Sequence, residues 1–167
     1  MKKLGDVMDT DFANITGMFK TNTDLMNKAI TEVSPDRWFA KPGDESNHLM
    51  WVLGHVLWSR SNILKLLNEP CEIPSASLFS RGAQLAEEKD YPSVEEMREA
   101  WHEVSTKLSA ALANASGETL SRAALPGPPS FNGKLSGTVA FLAFHETYHV
   151  GQVSYLKKWL GYGQTVG

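Results

Sequence analysis

The sequence predicts an all-α fold, a four-helix bundle with long connecting loops, in one domain over residues 1–167. Three observations predict it. Four long stretches carry apolar residues at helical spacing, Pro- and Gly-rich breaks separate them, and no pair of strand-like runs flanks a hairpin turn. Helices joined in this way bury their apolar stripes against one another as a bundle. No internal repeat, low-complexity tract or domain boundary interrupts the pattern.

The first helix is predicted from about Asp6 to Ile30, where Met8, Phe12, Ile15, Phe19, Met26 and Ile30 recur at helical spacing. Ser34-Pro35 and Lys41-Pro42-Gly43 then bracket a connector. A second helix is expected from Ser46 or Asn47, either of which can cap a first turn through its side-chain oxygen, to about Asn68. It is apolar around most of its circumference, so it should be the most buried. The pattern lapses from Glu69 to Pro92, apart from a short helical turn expected near Gln84–Glu88; long loops of this kind often wall functional sites. Ser93-Val94-Glu95-Glu96 is a capping box that opens a third helix to about Asn114, with Met97, Trp101, Val104, Leu108 and Leu112 inward and Ala111 beside them. After the break at Ala124-Leu125-Pro126-Gly127-Pro128-Pro129, a last helix should run from about Ser136 to Leu160 and stop at Gly161 and Gly163.

Composition narrows the function. Hydrophobic residues make up 42% and charged residues 21%, ordinary values for a chain that buries a core. The formal net charge is −3, and the only basic pairs, Lys2-Lys3 and Lys157-Lys158, are isolated, so no nucleic-acid partner is expected. A single cysteine, Cys71, excludes an internal disulfide and a multi-cysteine zinc site. In its Pro-flanked loop it reads as an unreactive thiol, with no base beside it. MKKLGDVMDT lacks the apolar run of a signal peptide, and no stretch reaches the roughly 18–20 apolar residues of a membrane span. A cytoplasmic protein with no membrane partner is the expectation.

The sharpest local signal is His145-Glu146-Thr147-Tyr148-His149. Histidines four apart on a helix lie about 40° apart around the axis with Cβ atoms roughly 6 Å apart. Both rings then reach one ion at about 2.0–2.1 Å. The string also matches the H-E-x-x-H of zinc proteases. Those enzymes take a third ligand downstream, and no His, Asp or Glu follows His149 here. The protease match is therefore read as accidental, and Glu146 need not be a base. A third ligand must come from another helix. His48 falls in a first turn, and His102 is one step off an inner stripe, a surface position. His55, mid-way along the most apolar helix, needs a partner, since an unpaired buried polar group costs about 1–3 kcal/mol. His55, His145 and His149 are thus the predicted metal ligands. Gln152, one turn past His149, can hydrogen-bond a ligand ring. Tyr148 and Asn47 receive no site role, and Trp51, Trp58, Trp101 and Trp159 read as core packing.

Trp51-Val52-Leu53-Gly54-His55, His145-x3-His149-x-Gly151-Gln152 and the stretch Arg81-Gly82 to Tyr91-Pro92-Ser93 carry a resemblance over nearly the whole chain. The chain resembles the DinB-like (DNA-damage-inducible, YfiT-type) metal-binding four-helix-bundle family. The resemblance implies a three-histidine site for a divalent ion, zinc or nickel foremost, at His55, His145 and His149, with water or substrate completing the coordination. It further implies a thiol S-transferase or isomerase that uses a low-molecular-weight thiol such as bacillithiol or mycothiol and a small-molecule substrate, with a homodimer as the suggested assembly. The competing expectation is a non-catalytic metal-binding stress-response protein.

Overall fold

Among the described residues five α-helices carry the chain: α1 (Leu4–Glu32), α2 (Leu49–Leu66), α3 (Val94–Asn114), α4 (Gly117–Ser121) and α5 (Leu135–Trp159). The computed structural model describes the backbone of residues 4–165 and the side chains of residues 12–165. The side chain of Met8 and the pair Lys2-Lys3 lie outside the described residues. Among the described residues there is no strand, only an isolated bridge between Ala123 and Lys134.

The four long helices form a bundle in which each packs on two neighbours. α1 lies against α5 and α3, and α2 against α3 and α5. The adjacency of α2 and α5 decides the functional geometry, because the two helices carry the predicted ligands. α2 owes its central place to its sequence: every residue from Leu49 to Leu57 is buried, as a helix apolar on all sides requires. The predicted stripes of α1 and α3 face the core, with Phe19, Met26 and Ile30 buried in one and Met97, Trp101, Val104, Leu108 and Leu112 in the other. Phe12 and Ile15 pack against it half-buried.

Helix ends follow local chemistry. The Ser93 capping box forms, its hydroxyl accepting from Glu96 N while the Glu96 carboxylate accepts from Ser93 N. Asn68, at φ 65°, closes α2: Asn68 N donates to Lys65 O and Glu69 N to Leu64 O, the paired bonds of a left-handed helix stop. Gly161 (φ 89°) ends α5 in the same manner.

Three expectations are corrected, and one short helix is added. α2 starts at Leu49, later than Ser46 or Asn47, because His48 is its cap: Nδ1 accepts from Trp51 N at 3.1 Å. The rings of Phe39 and Tyr91, with centroids 5.1 and 5.2 Å away, hold that imidazole in place. The helical turns in the long loop fall at Ala76–Phe79 and Glu88–Asp90 and not at Gln84–Glu88. Trp159 is 45% exposed in the last turn of α5, where Leu156 and the cap residue Leu160 are the ones that pack on the core. α4 was not predicted; five residues are too short for periodicity, though Ser116 caps it and Leu120 is buried.

Candidate metal centre

The site begins with a glycine. A Cβ on Gly54 would overlap the ring of Phe79, so only glycine lets that ring lie flat on α2. The turn Ala76–Phe79 is thereby docked on the helix, and the Phe79 carbonyl sits 2.7 Å from Nδ1 of His55. A carbonyl only accepts, so the His55 proton resides on Nδ1 and Nε2 keeps its lone pair. The imidazole is stacked between Trp51 (centroids 4.9 Å, 6° between planes) and Trp58 (5.5 Å, 22°), which fixes its plane. His55 is 5% exposed.

α5 supplies the other two rings. His149 Nδ1 faces Gln152 Oε1 at 2.7 Å, and the amide is oriented by its Nε2 donating to the Tyr148 hydroxyl at 3.4 Å. His149 is therefore also protonated on Nδ1 with a free Nε2 lone pair. That Nε2 lies 3.1 Å from Nε2 of His145. The His55 ring centroid is 4.8 Å from that of His149 and 5.3 Å from that of His145. Nδ1 of His145 is buried without a partner. Among the described residues these three form the one cluster of three or more His, Cys, Asp or Glu residues that could hold an ion, with ligand atoms all within 4.8 Å of one another.

The donor set fits a divalent cation. Two nitrogens bonded to one ion at about 2.0–2.1 Å stand about 3 Å apart, close to the 3.1 Å between His145 and His149. Burial, foremost, holds the His149 pKa down to about 4, against a partial rise from Gln152. Burial also lowers His55 and His145, the latter helped by His55 and Arg81. All three rings are neutral at neutral pH, the form in which imidazole binds metal.

His55 and His145 also border a cleft of about 960 Å³ between α2, α5 and the Pro-rich loop that follows Arg122. Trp58, Leu66, Leu125 and Phe141 give it an apolar wall. Ala124 N donates to Gly133 O and Leu135 N to Arg122 O, bonds that tie the loop back on itself as the opposite wall.

The Glu of the His-Glu-x-x-His string is spent elsewhere. Glu146 takes Arg60 Nε on one oxygen (2.8 Å) and a terminal guanidinium nitrogen on the other (2.7 Å), and the two side chains are each 1% exposed. Ser105 and Thr23 accept from the remaining arms of Arg60, which lies 4.1 Å over the Trp101 ring. Sequence reading passed over Arg60. Its signal was present: α2 has one arginine, in a Ser59-Arg60-Ser61-Asn62 step between two apolar stretches, and Glu146 is the only acidic residue of α5. His102 is exposed on α3, and His48 is the buried cap of α2, so neither joins the cluster. Cys71 has a charged neighbour that the sequence did not suggest, the Lys107 ammonium of α3, which donates to its Sγ at 3.5 Å while paired with Glu103.

A helical bundle whose adjacent helices converge three neutral imidazoles beside a cleft is a candidate metal-binding bundle. A family model of the DinB superfamily matches residues 18–153, and the chain belongs to that superfamily. No curated protein matches it.

Proposed function

We propose that this protein binds one divalent ion, zinc or nickel, on His55, His145 and His149, and uses it in the transfer or isomerisation of a small molecule through a low-molecular-weight thiol. The observation that carries the reading is the convergence of three imidazoles with ligand atoms within 4.8 Å, two of which, His55 and His145, border the cleft. Such an ion supplies a Lewis acid that favours the thiolate form of a bound thiol. The chain's own residues do the rest. Phe79 O and Gln152 Oε1 hold two ligand rings in the tautomer that presents Nε2. Trp51 and Trp58 fix the His55 plane. The apolar wall of Trp58, Leu125 and Phe141 keeps bulk water from part of the cleft. A simple metal carrier has no use for such a cleft, which favours the enzyme reading.

Elemental analysis of protein prepared without a histidine tag tests the first half: stoichiometric metal in the parent and loss of it in His145→Ala and His149→Ala. Full metal in both variants removes the assignment. Assay of the metal-loaded protein with a panel of thiols and electrophiles tests the second half. Rates no higher than those of the metal-free protein rule out thiol transfer.

A further inference from the structure

The charge around the cleft is one-sided. Three charged side chains border it, Lys65, Arg81 and Arg122, and all are cationic, in a chain whose formal net charge is −3. Among the described residues none of the three has a carboxylate partner. Arg122 donates only to main-chain carbonyls, Thr119 O at 3.2 Å and Leu66 O at 3.3 Å. Cations left uncompensated at the rim of a partly apolar cleft create a positive field there that water screens less than on an open surface.

The cations also stand at two separate places. Arg81 is at the histidine end, two residues after Phe79, whose carbonyl lies 2.7 Å from His55 Nδ1. Lys65 and Arg122 are at the other end. The cleft runs along one face of α2 through His55, Trp58, Asn62 and Lys65. Ten residues of helix separate its histidine from its lysine, about 15 Å at 1.5 Å per residue. Between them lie the amide of Asn62 and the apolar wall.

We infer that the organic substrate of this cleft is an extended dianion, with one acidic group on Arg81 beside the histidines and a second on Lys65 and Arg122. This deepens the proposed function and rests on its placing the reaction at the histidine end. Carboxylate and phosphate share the required chemistry.

The test is calorimetric titration of the metal-loaded protein with straight-chain α,ω-dicarboxylates of increasing length, the matching bisphosphonates, and the neutral diols. Binding should appear in the longer diacids or bisphosphonates, weaken as salt is raised, and be at least about tenfold poorer for a diol of equal length. Whichever acid binds more tightly names the acidic group. Arg81→Gln and Arg122→Gln should each weaken binding about tenfold, with Lys65→Gln adding to the second. All three positions are exposed, and circular dichroism confirms that the variants fold. Diols that bind as well as diacids, affinities unmoved in both arginine variants, or no binding at millimolar diacid overturn the inference. Metal content measured on the same samples separates its failure from failure of the metal site. Diacid binding without turnover of any thiol would retire the thiol chemistry and leave the dianion site standing.

Discussion

α2 and α5 meet at two polar clusters only a turn or so apart, and the two are chemically opposite. At Arg60 and Glu146 the cluster is saturated: four hydrogen bonds leave the guanidinium, both carboxylate oxygens are taken, and an indole covers the charge. At His55, His145 and His149 two nitrogen lone pairs are turned inward with no donor from any other residue between them, and one ring nitrogen has no partner. A buried cluster that satisfies itself can serve as a lock between helices. One whose inward lone pairs find no partner beyond the three rings themselves has use for a cation. The difference separates scaffold from site on two adjacent residues, His145 and Glu146.

Breaking the lock should have the largest effect. Arg60→Met leaves Glu146 buried and unpaired, a change that costs about 3–5 kcal/mol. For a chain of this size each kcal/mol lowers Tm by about 2–4 °C, so a drop on the order of 10 °C is expected by circular dichroism, with or without metal. The double variant Arg60→Met, Glu146→Leu should recover much of it, since no orphan charge remains. The site should respond the other way round. Metal at 100 times its Kd should stabilise the parent by about 2.7 kcal/mol, and His149→Ala should lose that gain while its metal-free Tm changes far less than that of Arg60→Met. A metal-free His149→Ala as unstable as Arg60→Met would erase the distinction between the clusters.

Much of this was legible in the residues. Periodicity exposed the four long helices because each buries a continuous stripe, and the His145/His149 pair was visible because i,i+4 spacing fixes its geometry locally. His55 was legible by elimination, as a polar ring in a helix without a polar face. The Phe79 carbonyl was not, since a main-chain acceptor 24 residues away leaves no mark in side-chain identity. Gly54 was the trace it left, for a helix-interior glycine asks what lies against it. His48 was misjudged because histidine is not among the usual caps, and its role depends on Phe39 and Tyr91 arriving from distant segments.

Smaller changes should grade the site. Gln152→Leu removes the acceptor that fixes the His149 tautomer and should weaken metal binding about 10–100-fold, measured by competition with a chelator. Gly54→Ala displaces the Phe79 ring and with it the carbonyl on His55. It should weaken metal binding in the same direction. Unchanged affinity in both variants would mean that packing alone sets the ring orientations, against the two indoles for His55 and against Tyr148 for His149.

The smallest effect concerns His48, a buried histidine that belongs with the lock and not with the site. Its Nδ1 accepts from Trp51 N, so the proton of the neutral ring is on Nε2. Burial, then Lys41, lowers its pKa to about 4 in the folded chain, against an ordinary value near 6.5. Between those values the unfolded chain carries a proton that the folded chain refuses. The contribution of this group is therefore complete above about pH 6.5 and is lost as pH falls toward 4, where protonation of Nδ1 also breaks the cap. His48→Asn keeps an acceptor at the cap and removes the titration. In metal-free protein it should cut the slope of unfolding free energy against pH over that window by up to about 1.4 kcal/mol per pH unit, one proton's worth. His55, His145 and His149 still titrate in the variant, so a residual slope must remain. An unaltered slope would show that His48 takes up its proton in the folded state as readily as in the unfolded one, and the cap would then owe its place to packing against Phe39 and Tyr91 and not to the hydrogen bond.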